Sequence, residues 1–243
     1  MQAGLKRIVQ AGLRPFHLRF DNTDFDQRKI GIDLCLHGLA QRGFVPEYVL
    51  DIGAATGQWT LMAMQDWPQA RYFLLEPLEE RRDQLTQLSA HHSNVSFAIS
   101  AAGSTSGYLP MGVLPDQLDG SSFLYGDERR LVQVTRIDDL LAAGEIEQCQ
   151  FMKLDVQGYE LEVLRGAEMT MRHCPLVLLE LQFFRFTSDM QLLHESIAWM
   201  AEHHFYPYEI ADVLRRPYDG AMGQCDILFA QEGCWLTANP TWA

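Results

Sequence analysis

At 243 residues, 47% apolar and 21% charged, the chain can bury one sizeable α/β core and is ordinary in composition for a globular protein. Its net charge of −13 argues against nucleic acid and anionic membrane surfaces as partners, and no basic patch overrides it: the arginine pairs of "EERRDQL" and "DERRL" are flanked by acids and read as solvated faces. The five cysteines are scattered, with no C-x-x-C pair, which speaks against a disulfide scaffold or zinc finger and fits a reducing cytoplasm.

The start, "MQAGLKRIVQAGLRPFHLRF", lacks the apolar core of a secretory signal, and "PLVLLEL" is too short to cross a bilayer, so no stable membrane insertion is expected. A helix capping the active site is the reading preferred here over a peripheral membrane helix. The first strand is "YVLDIG", followed by a helix from about Gln58 that Pro68 must end. "ARYFLLEP" reads as the second strand. The helix after it, "LEERRDQLTQLSAHH", turns Leu78, Leu85 and Leu88 inward, and "NVSFAISAAG" is the third strand. Residues 104–137 break the rhythm with "STSG", two prolines, "DGSSF" and the alternating "LVQVTRI", which predicts a hairpin or loop insertion. "QFMKLDVQG" and "PLVLLELQ" are the next two strands, separated by one helix over "YELEVLRGAEMTMRH". Ser188 and Gln191 form a capping box for the helix "DMQLLHESIAWMAEHH". The closing strands, "FYPYEIADV" and "CDILFAQ", have no helix between them and are expected to pair antiparallel at one edge. Strands and helices alternating in this way give βαβ units, hence a parallel sheet with helices on both faces.

Ligands of such sheets sit beyond the carboxyl ends of the strands. "DIGAATG" ends the first strand there, with Gly53 and Gly57 letting the chain turn tightly and a ligand approach the backbone. Glu76 ends the second strand after an apolar run, where an acid can take both hydroxyls of an adenosine ribose. Ala55 breaks the G-x-G-x-x-G dinucleotide fingerprint, and Gly57-Gln58-Trp59 is no phosphate loop. Asp51 before the turn suits a ligand with an ammonium group, directly or through water. S-adenosylmethionine has a ribose, an amino acid tail and no phosphate, and the pattern favours it.

These residues resemble the FkbM family of S-adenosylmethionine-dependent methyltransferases, from about Val49 to Ala230. "DIGAATGQWTL" is similar to the family's turn, with Ala55 where asparagine is usual; "LLEP" matches its ribose acid. "TRIDDLL" and "MKLDVQGYELEVLRGA" match its most recognisable segment, followed by "LVLLEL" and "RRPYDGAMGQCDILFA". The resemblance implies a seven-stranded, Rossmann-like class I methyltransferase sheet and methylation of a hydroxyl on a sugar, glycan or secondary metabolite. On this reading residues 1–45 are a helical cap and residues 46–243 the methyltransferase domain, with its insertion at about 104–137.

Asp51, Gly53, Ala54, Gly57, Thr60, Glu76 and Pro77 would hold the cofactor, with Ser100 and Ala101 near the adenine. An alcohol must lose its proton as it attacks, so a base or a metal near the acceptor oxygen helps. Asp155, ending the strand beside the glycine turn, is the leading candidate; the alternatives are a ligand for a divalent cation with Glu180 or Asp226, and a mere cap of the following helix. Glu180 in a buried strand needs a partner and is placed with Asp155 at the acceptor. Ser122, Glu160, Gln224 and Asp226 are further acceptor-side candidates, each with a plain structural alternative, as is Ser121; Lys153 shares the side of Asp155. Two rivals remain: a non-catalytic adenosyl-binding module and a nicotinamide-dependent oxidoreductase. Neither the acceptor nor the oligomeric state is legible.

Overall fold

The computed structural model describes residues 30–239 and 241. Helix α1 (Ile32–Gln41) leads into β1 (Tyr48–Ile52), α2 (Gln58–Asp66), β2 (Arg71–Glu76), α3 (Arg82–His91) and β3 (Val95–Ile99). A short strand β4 (Ala101–Ala102) precedes β5 (Gly107–Val113) and β6 (Glu128–Thr135), then α4 (Ile137–Ala143) and β7 (Phe151–Leu154). The chain closes with α5 (Glu160–Arg165), α6 (Glu168–Met171), β8 (Leu176–Gln182), α7 (Leu193–Glu202), β9 (Phe205–Arg215) and β10 (Met222–Gln231).

Seven strands form the main sheet in the order β3-β2-β1-β7-β8-β10-β9. Only β10 runs against its neighbours, inserted antiparallel between β8 and the edge strand β9. β1, β7 and β8 are buried along their whole length, as near-continuous apolar runs covered on both faces must be. One face packs α4, α5, α6 and α7, the other α1, α2 and α3. Leu85 and Leu88 of α3 go into the second core as expected. There Trp59 stacks on Phe151 at 5.7 Å and Phe44 meets Trp67 edge-on at 5.6 Å, arrangements that add to the burial of each ring. The five cysteines are free and buried. Among the described residues no helix is long and apolar enough to cross a membrane.

Three local expectations change, and the stretch 104–137 has the hairpin expected of it. Residues 32–41 of the expected cap form α1, whose Cys35, Leu36 and Leu39 pack onto the sheet face rather than over the cavity described below; residues 1–29 lie outside the described residues. The helix read over 159–173 is two, because Gly166 lies against the backbone of Gly103: a Cβ there would stand 2.0 Å from the Gly103 carbonyl oxygen. The helix read from Asp189 begins at Leu193, and its cap is Glu195 accepting the Leu192 N–H at 2.7 Å, not Ser188 with Gln191. The stretch 104–137 carries β5 and β6, paired antiparallel, with β4 added parallel to β6.

Candidate active site

The turn after β1 is built by its own chain before any ligand arrives. Gly53 has φ +76°, and a Cβ on it would sit 1.9 Å from the Asp155 carbonyl oxygen; the close approach that requires glycine is therefore β7's end, not a ligand. Gly57, also left-handed, starts α2 with Leu88 packed where its Cβ would be. Ala54 is buried and its carbonyl accepts the Gly57 N–H. Asp51 is 0% exposed. Its carboxylate accepts the Thr60 hydroxyl at 2.7 Å and lies 3.2 Å from the Lys153 ammonium, its register partner on β7. The ammonium that Asp51 was expected to find in a ligand thus belongs to the protein. Asp51, Ala54, Gly57 and Thr60 build the turn and stay out of the cavity wall.

Beyond the strand ends lies a cavity with about 640 Å³ of space between atoms, the solvent at its open mouth included. Gly53, Glu76, Pro77, Ser100, Ala101 and Asp155 line it. Glu76 Oε2 accepts the Ala55 N–H at 2.9 Å and Oε1 the Leu78 N–H at 2.9 Å, so both oxygens are aimed. A carboxylate has about four lone-pair sites; two remain for the hydroxyls of a vicinal diol, which fits an adenosyl ligand. Burial pushes the Glu76 carboxyl up, while those two N–H donors and Arg81 pull it back. Ala55 explains the family's asparagine: its φ is +47°, a left-handed conformation that asparagine tolerates and alanine does not favour. Ser100 spends its hydroxyl on the insertion, 2.9 Å from Thr135 Oγ1.

Asp155 sits at the other functional group of the wall. Its Oδ1 accepts the Gln157 amide at 2.9 Å and its Oδ2 lies 3.7 Å from Lys153, whose ammonium also donates to the Gly53 carbonyl at 3.0 Å. Burial opposes charge on Lys153, but Asp51 and Asp155 outweigh it and hold the ammonium above its ordinary range. Asp155 does not cap α5. That turn is closed by Glu160, whose Oε1 accepts the Val156 and Gly158 N–H groups at 3.1 Å each; this carboxylate does not line the cavity. Ser122 likewise turns inward and donates to the Gln157 carbonyl at 2.8 Å. Gln157, missed in the sequence, is the hub. It has φ +55°, and its amide bridges Asp155 to Glu180 Oε2 at 3.1 Å.

Glu180 is only 7% exposed and is ringed by amides: Gln157, Gln182 at 3.4 Å and Gln224 on the other oxygen. Burial, then Asp155, raises its carboxyl. Asp226, opposite Glu180 in the β8–β10 register, is pushed up to about 7 by burial and by Asp155. Glu180 and Gln224 stand behind Asp155 and support it; they do not line the cavity. This donor set does not fit a divalent cation, since amides occupy the Glu180 oxygens and an ammonium already stands beside Asp155. Among the described residues no three His, Cys, Asp or Glu side chains converge as metal ligands.

The sequence fits the profile of the methyltransferase FkbM domain over residues 51–207, more than half of the chain. Over 114 residues it is 25% identical to the hexuronic acid methyltransferase AglP of Haloferax volcanii, a match covering 46% of this chain and 48% of that protein. Over 157 residues it is 26% identical to the methyltransferase sdnD of Sordaria araneosa, covering 50% of this chain and 60% of that one. The chain thus spans about half the length of the curated relatives it matches. The crystal structure of methyltransferase FkbM from Methylobacillus flagellatus KT aligns with a TM-score of 0.52 at 17% identity, over 76% of this chain and 43% of that one. The shared fold is the seven-stranded, Rossmann-like class I sheet. With the profile running from Asp51 of the glycine turn to Pro207 of the edge strand, the chain belongs to the FkbM methyltransferase family.

Proposed function

We propose that the chain is an S-adenosylmethionine-dependent O-methyltransferase acting on a hydroxyl of a small polar acceptor. The observation that carries this reading is one cavity with both Glu76 and Asp155 in its wall. S-adenosylmethionine, when bound, supplies a methyl group on a positively charged sulfur. Glu76 accepts the ribose hydroxyls, while Gly53, Pro77, Ser100 and Ala101 complete that part of the wall. Asp155 would take the proton of the attacking hydroxyl as the carbon–oxygen bond forms and the methyl–sulfur bond breaks, its electron pair going to sulfur. Gln157 fixes the direction of its Oδ1, and Glu180 anchors that amide from behind. Alignment and exclusion of water supply the remainder, as in any reaction between two held partners.

The charges favour a hydroxyl over a carboxylate as acceptor. Asp155, Glu180 and Asp226 gather at one place, and the ammonium among them, Lys153, is committed to Asp51, Asp155 and a backbone carbonyl. A hexuronic acid, the substrate class in the name of the Haloferax relative, would bring its own carboxylate to the Asp155 end of the cavity, where the Lys153 ammonium is already committed. A sugar, glycan or secondary-metabolite hydroxyl brings none.

Transfer of labelled methyl from S-adenosylmethionine to neutral sugars, glycans and hydroxylated metabolites tests the reading. Asp155→Asn is expected to lose transfer by at least 100-fold while binding S-adenosylhomocysteine like wild type. Unchanged transfer would remove Asp155 from the chemistry. Binding of S-adenosylhomocysteine without transfer to any acceptor would favour an adenosyl-binding module, and tight NAD binding in its place an oxidoreductase.

A further inference from the structure

The cavity has a second wall that the reading above does not use. It comes from the loop joining β5 to β6, whose Asp119, Ser121 and Phe123 line the same space as Glu76. This loop is seated at its base by two glycines that cross. A Cβ on Gly112 would stand 2.1 Å from the Tyr125 carbonyl oxygen, and one on Gly126 2.3 Å from the Gly112 carbonyl carbon. Gly112 and Ser122 exchange backbone hydrogen bonds of 2.8 and 2.9 Å, so the loop folds flat against its own strand. At its tip, Asp119 pairs with Arg81, which follows Glu76 by five residues and lines the cavity as well.

Arg81 is the unusual member of that pair. Asp119 is 68% exposed, but the Arg81 side chain is only 14% exposed, against the expectation that "EERR" is a solvated face. One terminal nitrogen goes to Asp119 and the other reaches Gln84 only at 3.5 Å. Its Nε–H is buried with no acceptor. A guanidinium is a rigid fork of five donors that accepts nothing, so on a residue that lines the cavity it has donor capacity left for an acceptor from outside the chain. Glu76, in the same wall, offers the opposite: acceptor sites without donors. A vicinal diol carries both, with hydroxyl hydrogens for Glu76 and hydroxyl oxygens for the guanidinium.

We infer that Arg81, held by Asp119 of the insertion loop, is a second recognition residue for the ribose of the adenosyl ligand. This rests on the cofactor reading above. The insertion is then part of the cofactor site: it fixes the arginine that reads the sugar, and Asp119 is a positioning residue that acts through it.

Calorimetric binding of S-adenosylhomocysteine and of its 2′-deoxy analogue, with no acceptor present, tests this. Arg81→Met is expected to weaken S-adenosylhomocysteine about 10- to 100-fold and to shrink the preference of wild type for the 2′-hydroxyl. A merely structural role would weaken both ligands alike and leave that preference intact, which would overturn the inference. Asp119→Asn, a mild change on an exposed side chain, is expected to weaken binding about 3- to 10-fold and decides the matter if Arg81→Met fails to fold. Binding within twofold of wild type in Asp119→Asn and in any folded Arg81→Met sinks the inference alone. Wild type that binds no S-adenosylhomocysteine sinks the cofactor reading and this inference together.

Discussion

Replacing Glu160 by glutamine isolates the energetic cost of one buried carboxylate. Glu160 is 4% exposed, and burial pushes its carboxyl from the ordinary 4.5 up to about 7, against the pull of its backbone hydrogen bonds. The unfolded chain releases this proton near 4.5, while the native protein holds it until near 7. Between those values the native state binds more protons, so the stability this group contributes is fully present below 4.5 and lost as pH rises through 7. At about 1.4 kcal/mol per pH unit the loss approaches ~3 kcal/mol. Glutamine keeps the geometry, because a single oxygen accepts both the Val156 and Gly158 N–H groups. Its new amide donors cost about 1 kcal/mol if unpartnered, which makes the variant slightly less stable than wild type at pH 5. By pH 8 it should be more stable by about 2 kcal/mol. Urea unfolding followed by tryptophan fluorescence at pH 5, 6, 7 and 8 measures the difference. Parallel stability profiles for the two proteins would refute the assignment of a buried, proton-retaining Glu160.

Lys153→Met leaves Asp51 buried and without its cation, and should cost about 3–5 kcal/mol in urea unfolding at pH 7; a loss below 1 kcal/mol would show that the pair contributes little. Ala55→Asn relieves an alanine held at φ +47° and should raise stability by about 1 kcal/mol, read as a higher urea midpoint at unchanged slope. Extensive treatment with EDTA should leave methyl transfer at the wild-type rate, since amides and an ammonium occupy the positions a divalent cation would need; loss of transfer restored by added Mg²⁺ would bring the cation back.

The sheet was legible because its signals are local. Apolar runs ended by Gly53, Glu76 and Asp155 mark strands that stop at one edge, and the two uninterrupted closing strands announce the antiparallel pair. Side-chain partners were less legible because they depend on register. Asp51 and Lys153 are adjacent only through the β1–β7 pairing, about a hundred residues apart in sequence, so Asp51 looked like a ligand acid with no partner. Ser122 and Glu160 were left between a substrate role and a structural one for the same reason: a polar residue beside a site is ambiguous until the backbone group it satisfies is known. Gln157 left a faint trace, a long polar side chain before Gly158 at a strand end. Arg81 left none, since "EERR" does not reveal which arginine turns inward.

The crossing of Gly53 under the Asp155 carbonyl has a consequence for how this scaffold could be retargeted. The Asp155 N–H bonds to the Ile52 carbonyl at 3.1 Å and Lys153 bonds to Gly53, so the glycine turn and Asp155 are one block with no loop between them. Their separation is set by strand pairing and cannot be tuned by small substitutions nearby. A laboratory seeking a different acceptor would do best to leave 51–60 and 151–160 untouched. Variation belongs outside that block, in the exposed β9–β10 connection at 216–221 and in the exposed positions of 183–192 after β8, where Met190 is buried against Gly158 and is best kept.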